Sequence, residues 1–206
     1  MPFSTTGLDQ ALDALNGGTF TSIIGYASLH TAYSSSGANE LTGGSPAYAR
    51  EAVTWNAASG ASKTTASVAG TFNVPSSGTV AFVGLWAGTG ASTFAGMGPN
   101  GGATQYGFTS VSGTPATFTA PSSSYSANQT VVLFDSAGAT ISTDFTLGQI
   151  YYVVSPSGDT FQLSATSGGS GIGTSHLGAG IVQGVTVETY GSQGTFSLTS
   201  DTLTMI

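Results

Sequence analysis

The chain has 206 residues, long enough for one ordinary domain or two small ones with a buried core. Only 5% of its residues are charged, against about 25% in a typical globular protein. Two bases, Arg50 and Lys63, stand against nine acids and leave a net charge of −7, which excludes the clustered cations that nucleic acid or an anionic membrane surface would need. Eleven Phe, eight Tyr and two Trp set it apart from disordered, charge-poor chains, and the absence of cysteine removes disulfides and thiolate metal sites.

In chain order, "STTGLDQALDALNGG" predicts a short N-terminal helix over residues 1–18. Ser4, Thr5 or Thr6 caps it, Leu8, Ala11, Leu12 and Leu15 line one face, and Gly17-Gly18 ends it. No basic segment precedes an apolar one there, so no secretory signal is expected, and no apolar run reaches the roughly 18 residues of a membrane span. From Phe20 the pattern is β. "TSIIGYASLH" reads as a strand ending at His30, "SSSGANELTGGSPAYA" as a long polar loop, and "REAVTWNA" and "SVAGTFNV" as strands. "GTVAFVGLWAG" is a nearly continuous apolar run, as in a central strand covered on both faces. The Gly-rich "GTGASTFAGMGPNGGATQYGF" predicts a long loop or an irregular hairpin. A second unit is expected to begin near Ala116. Its clearest element is a hairpin in "QIYYVVSPSGDTFQLSA", with "SPSGD" as the turn. The expected fold is mainly β: a sandwich over 19–116 completed by 185–206, with a small β module inserted at 117–184.

Residues that could carry chemistry are scarce. Of the two histidines, His30 ends an apolar strand and His176 lies in a Gly/Ser-rich loop, and no G-x-S-x-G elbow accompanies either. The carboxylates Glu40, Glu51, Asp135, Asp144, Asp159, Glu188 and Asp201 are scattered, with no spacing that pairs two of them for glycoside hydrolysis. No phosphate loop, H-E-x-x-H or EF-hand pattern occurs, and no cofactor, metal or catalytic residue is expected, with a loop-bound calcium left open. Phe94, Met97, Tyr106 and Phe108, in or beside the long Gly-rich stretch, are candidate subunit contacts, their alternative being to fold back on the sheet. Tyr106, Tyr125 and Tyr190 are candidate sugar-stacking rings.

Two stretches resemble known families. Leu29, His30, Thr31, Gly37, Asn39, Glu40, Tyr48, Arg50, Gly84, Leu85 and Trp86 follow, in order and spacing, a pattern of small phage virion proteins of the tail, tail-fibre or minor structural kind, over about residues 5–90. Tyr151, Tyr152, Val153, Asp159, Thr160, Phe161 and Gly168-Gly169 resemble a phage-type β module similar to the FCCH-like domain of the ubiquitin-activating enzyme. The resemblance implies a non-enzymatic virion protein, a tail or tail-fibre component, alternatively a capsid decoration protein. It implies partners among other virion proteins, self-association with a trimer as first guess, and a host-surface glycan as a further candidate partner. Within this pattern the only arginine, Arg50, is expected to pair with Glu40 and pin the 32–47 loop, with Tyr48 and Trp55 offering aromatic faces for stacking. Glu51, next in sequence, points to the opposite side of a strand.

Overall fold

A computed structural model describes residues 24–204 except 60, 61, 91 and 137. The helix expected over 1–18 lies outside these residues. The described chain is all β, in sixteen strands. They are β1 Tyr26–His30, β2 Glu51–Trp55, β3 Ser62–Val68, β4 Phe72–Val74, β5 Thr79–Val80, β6 Phe82–Trp86, β7 Phe94–Pro99, β8 Gln105–Val111, β9 Thr117–Thr119, β10 Thr130–Phe134, β11 Ile150–Ser157, β12 Thr160–Ser164, β13 Gly178–Gly184, β14 Glu188–Thr189, β15 Gly194–Phe196 and β16 Thr202–Thr204. The chain divides into two compact units, Met1–Asn100 with Val187–Ile206, and Gly101–Thr186.

In the first unit, six strands form one sheet in the order β16-β3-β2-β1-β6-β7. Two ribbons, β5–β14 and β4–β15, add to it. The strand period of two sorts the side chains. Ala27 and Leu29 of β1 pair with Leu85 and Val83 of β6, and these face a core completed by Val53, Phe72, Val74, Val80 and Phe196. The opposite face carries Ser28 and His30 beside Gly84, Phe82 and Trp86. β6 is buried at every position, as its unbroken apolar sequence predicts, and lies between β1 and β7. The expected single strand through "GTVAFVGLWAG" is broken at Ala81, whose amide bonds to His30 O and whose carbonyl takes the Asn100 amide. "SVAGTFNV" likewise divides, at Ala69-Gly70, between β3 and β4.

The second unit is a closed barrel, β10-β11-β12-β9-β8-β13. Phe108, Phe118, Phe145, Tyr151 and Phe161 fill it with Val131, Leu133, Val153, Leu163 and Val182. Phe118 is the hub, with ring centroids 5.0–5.6 Å from Phe108, Phe145 and Phe161. The β11–β12 hairpin turns at Gly158-Asp159, where Gly158 takes a left-handed φ of 58° and Asp159 Oδ1 accepts the Ser122 amide at 2.9 Å. Both of the unit's chain ends lie together: a Cβ on Gly101 would stand inside contact distance of Thr186.

The boundary expected near 116 lies instead at Gly101. β8 pairs along six residues with β13 and also with β9, so it closes the barrel and does not belong to the first sheet. Of the two expectations for the Gly-rich stretch, the irregular hairpin fits its first half and the long loop does not, the register shifting between Leu85 and Trp86. The stretch contains β7, which follows β6 in antiparallel register from Phe82↔Pro99 to Trp86↔Phe94.

Candidate functional site

The densest group of polar and aromatic side chains lies on the sheet face opposite the core, under the loop that joins β1 to β2. That loop crosses the face because its own sequence lets it bend. Gly37, Gly43 and Gly44 take left-handed φ values, and Gly37 sits so close to the Trp86 and Phe94 rings that no side chain fits there. Backbone bonds close its near end: the Thr31 amide donates to Asn39 O and the Leu41 amide to Leu29 O, each at 3.0 Å. Farther along, the Ser34 amide contacts Met97 Sδ at 3.2 Å and the Tyr33 ring lies 6.0 Å from that of Phe82.

Arg50 sits where this loop, β2 and the β6–β7 turn meet. Its Nε donates to Glu40 Oε1 at 2.8 Å and its Nη2 to Glu40 Oε2 at 2.7 Å, a two-point carboxylate fork. Nη1 faces the β6–β7 turn, with Gly88 O at 3.0 Å, Gly90 O at 2.9 Å and Ser92 Oγ at 3.3 Å. The guanidinium carbon lies 3.5 Å from the centroid of Trp86. Loop carbonyls thus surround a cation supplied by the chain itself. Only 10% of the Arg50 side chain and 18% of the Glu40 side chain meet solvent.

The structure therefore brings Arg50, Glu40 and Tyr48 together and leaves Trp55 out. The Tyr48 hydroxyl accepts the Leu29 amide at 2.8 Å and donates to Glu40 Oε1 at 3.2 Å, and burial pushes its pKa well above the ordinary phenol value. Trp55 packs on the core side and donates its indole N–H to Ile24 O at 2.6 Å. The stacking partner is Trp86, 36 residues along from Arg50 and brought over by the β1–β6 register. Glu51 lies against Gly70.

Behind the guanidinium runs a buried hydrogen-bond chain that sequence reading missed. Trp86 Nε1–H donates to Ser28 Oγ at 2.7 Å, Ser28 Oγ lies 2.7 Å from His30 Nε2, and His30 Nδ1 lies 2.8 Å from Ala38 O. The indole can only donate and the carbonyl can only accept, so in the neutral ring the proton sits on Nδ1 and Nε2 is left as an acceptor. Ser28 donates to Nε2. Ser28 and His30 are fully buried, and burial lowers the His30 pKa below its ordinary 6.5. The S-x-H spacing within a strand, which puts both residues on one face, was the available signal.

The candidate subunit contacts are placed otherwise than as a surface. Phe94 and Met97 are buried in the first unit, Phe94 with its ring 4.8 Å from Trp86. Phe108 is buried in the barrel, and Tyr106 packs edge-on against buried Tyr125. The cause is β7 and β8: as strands they carry Phe94 and Met97 under the β1–β2 loop, beside Gly37 and Ser34, and Phe108 into the barrel core. Large apolar side chains that do reach solvent include Leu177 and Val111.

The remaining carboxylates are spread over separate local contacts. Asp135 accepts the Ile141 amide, Asp201 the Thr202 amide, and Glu188 binds Asn100 and the Tyr190 hydroxyl. Asp144 Oδ2 accepts from Thr174 and lies 3.3 Å from His176 Nδ1, and these bonds, the Thr174 one foremost, lower its pKa. Ser175 and Thr143 approach the same Nδ1 that faces Asp144, whereas a Ser-His-Asp triad sets its hydroxyl on the other ring nitrogen. Among the described residues no three His, Asp or Glu side chains gather as a metal site.

These features define an all-β protein of two units whose one guanidinium is bound internally. No family model, curated protein or solved structure matches the chain.

Proposed function

We propose that the chain is a non-enzymatic structural protein of a bacteriophage particle, a tail or tail-fibre component carried on the virion surface. The sheet and ribbons of the first unit serve as its sandwich-like body and the barrel as an appended module. The observation that carries this reading is the use of Arg50. The residues of the virion-protein resemblance, Leu29, His30, Gly37, Glu40, Tyr48, Arg50, Gly84 and Trp86, meet in one interlocked cluster that holds a loop to a sheet. Such a cluster spends the chain's single arginine on holding shape, as a protein that works by being packed would. The sugar-stacking alternative loses support from the burial of Tyr125 and the packing of Tyr106 against it.

Immunogold labelling of assembled particles with an antibody to the purified chain tests the reading. Gold on tails is the expected result. Gold on heads would replace it with the capsid-decoration role, and particles free of the chain would overturn both.

A further inference from the structure

His30 occupies an unusual position for a titratable group. Its ring is sealed between β1, β6 and the 31–47 loop, and both of its nitrogens are committed. With its Nδ1–H given to the Ala38 carbonyl, the neutral ring presents its Nε2 lone pair to Ser28, whose hydroxyl donates to it while its oxygen accepts from the Trp86 indole. A proton on Nε2 reverses that bond: Ser28 Oγ then accepts from both Trp86 and His30, and its hydroxyl proton loses the Nε2 acceptor inside a fully buried site. Nor is there room to rearrange on the strand side. A Cβ on Gly84 would stand 2.6 Å from both His30 Nε2 and Ser28 Oγ. The ring's cover on the other side is the loop, through Ala38.

We propose that this chain of bonds is an acid-sensitive latch: protonation of His30 releases the 31–47 loop, and with it Glu40 and Arg50, from the outer face of the sheet. The charged groups facing the ring are Glu40 from the loop, which favours an imidazolium, and Arg50 from the start of β2, which opposes it. Tyr48 is uncharged, and β6 and β7 present Trp86, Phe94 and the Gly84 backbone. Burial outweighs these, so the closed form binds the proton more weakly than the open form. The closed loop is therefore fully favoured above about pH 6.5. Below that, each pH unit favours the open loop by up to roughly tenfold, until the lower pKa of the closed form is passed.

The sequence supplies its own reporter. Arg50 and Lys63 are the only trypsin sites in the chain, and Arg50 must leave its cradle to be cut. The ratio of cleavage after Arg50 to cleavage after Lys63, measured on the full chain between pH 7.5 and 5.5, cancels the protease's own pH dependence. We expect the ratio to rise about tenfold as pH falls, and to stay flat in His30→Gln. His176 is the chain's one other histidine, so His176→Gln keeps the test decisive if His30→Gln does not fold; the rise must survive in it. A flat ratio in the unsubstituted chain, a ratio flattened by His176→Gln, or cleavage at both sites rising together as in global unfolding would each overturn the latch.

Discussion

Replacing Arg50 by Met keeps much of the side chain's length and its contact with Trp86 but deletes every donor of the cradle. Glu40 then keeps its charge in a place where only 18% of its side chain meets water, and the Gly88 and Gly90 carbonyls lose their shared donor. Removing one partner of a buried pair costs about 3–5 kcal/mol, and the residual exposure of Glu40 puts the expected loss near the lower end, about 3 kcal/mol. For a unit of this size that lowers Tm by on the order of 10 °C. Thermal unfolding by circular dichroism measures it. Chymotrypsin, which can cut at Tyr33 and Tyr48 in the covering loop, shows whether the loop is what loosens. Replacing Glu40 by Gln in the same chain removes the stranded charge and is expected to restore part of the loss. An unchanged Tm together with unchanged cleavage at Tyr33 and Tyr48 would refute the claim that the cradle holds the loop down.

Gly37→Ala places a methyl 2.5 Å from Trp86 ring atoms at a φ of +80°, so a loss of about 2–4 kcal/mol is expected in urea unfolding. Phe118→Ala removes the ring that touches three others in the barrel and is expected to cost about 3–5 kcal/mol, read from the amide exchange of β10 and β13. Thr174→Val deletes the main bond to the Asp144 carboxylate, so the Asp144 pKa is expected to rise toward its ordinary 3.8 in a carboxyl NMR titration. Because that pKa is lowered in the folded chain, its stabilising effect is complete above 3.8 and fades as pH falls through the folded value. The variant is expected to show less of this acid sensitivity.

Local pattern made some of this legible and long-range pairing hid the rest. The β11–β12 hairpin was readable because its turn residues and flanking strands lie within one short stretch. The buried character of β6 followed from an apolar run too dense for a half-exposed strand. The meeting of Arg50 with Glu40 could be reasoned locally, since the adjacent Glu51 points to the other side of the strand and Glu40 stands ten residues earlier, across the loop that must be closed. What stacks on the guanidinium could not. Trp55 is near in sequence, but it lies on the core side of the sheet, and Trp86 comes into place only through the pairing of Tyr26 with Trp86. The same limit explains β7 and β8. Their glycines read as a loop, whereas the partners that make them strands are β6 for one, and β9 and β13 for the other. The closure of the barrel rests on residues such as Tyr106 and Val182, some 76 positions apart, which no local period reveals.

The contact between Gly101 and Thr186 has an evolutionary corollary. A folded body whose entry and exit points touch can be spliced into a host chain, or lost from it, at one position. On the host side, Asn100, the last residue before the junction, donates to Glu188, the second residue after it, at 3.1 Å. A lineage of such proteins can thus exchange one cassette for another by a single recombination event while its scaffold goes on unchanged.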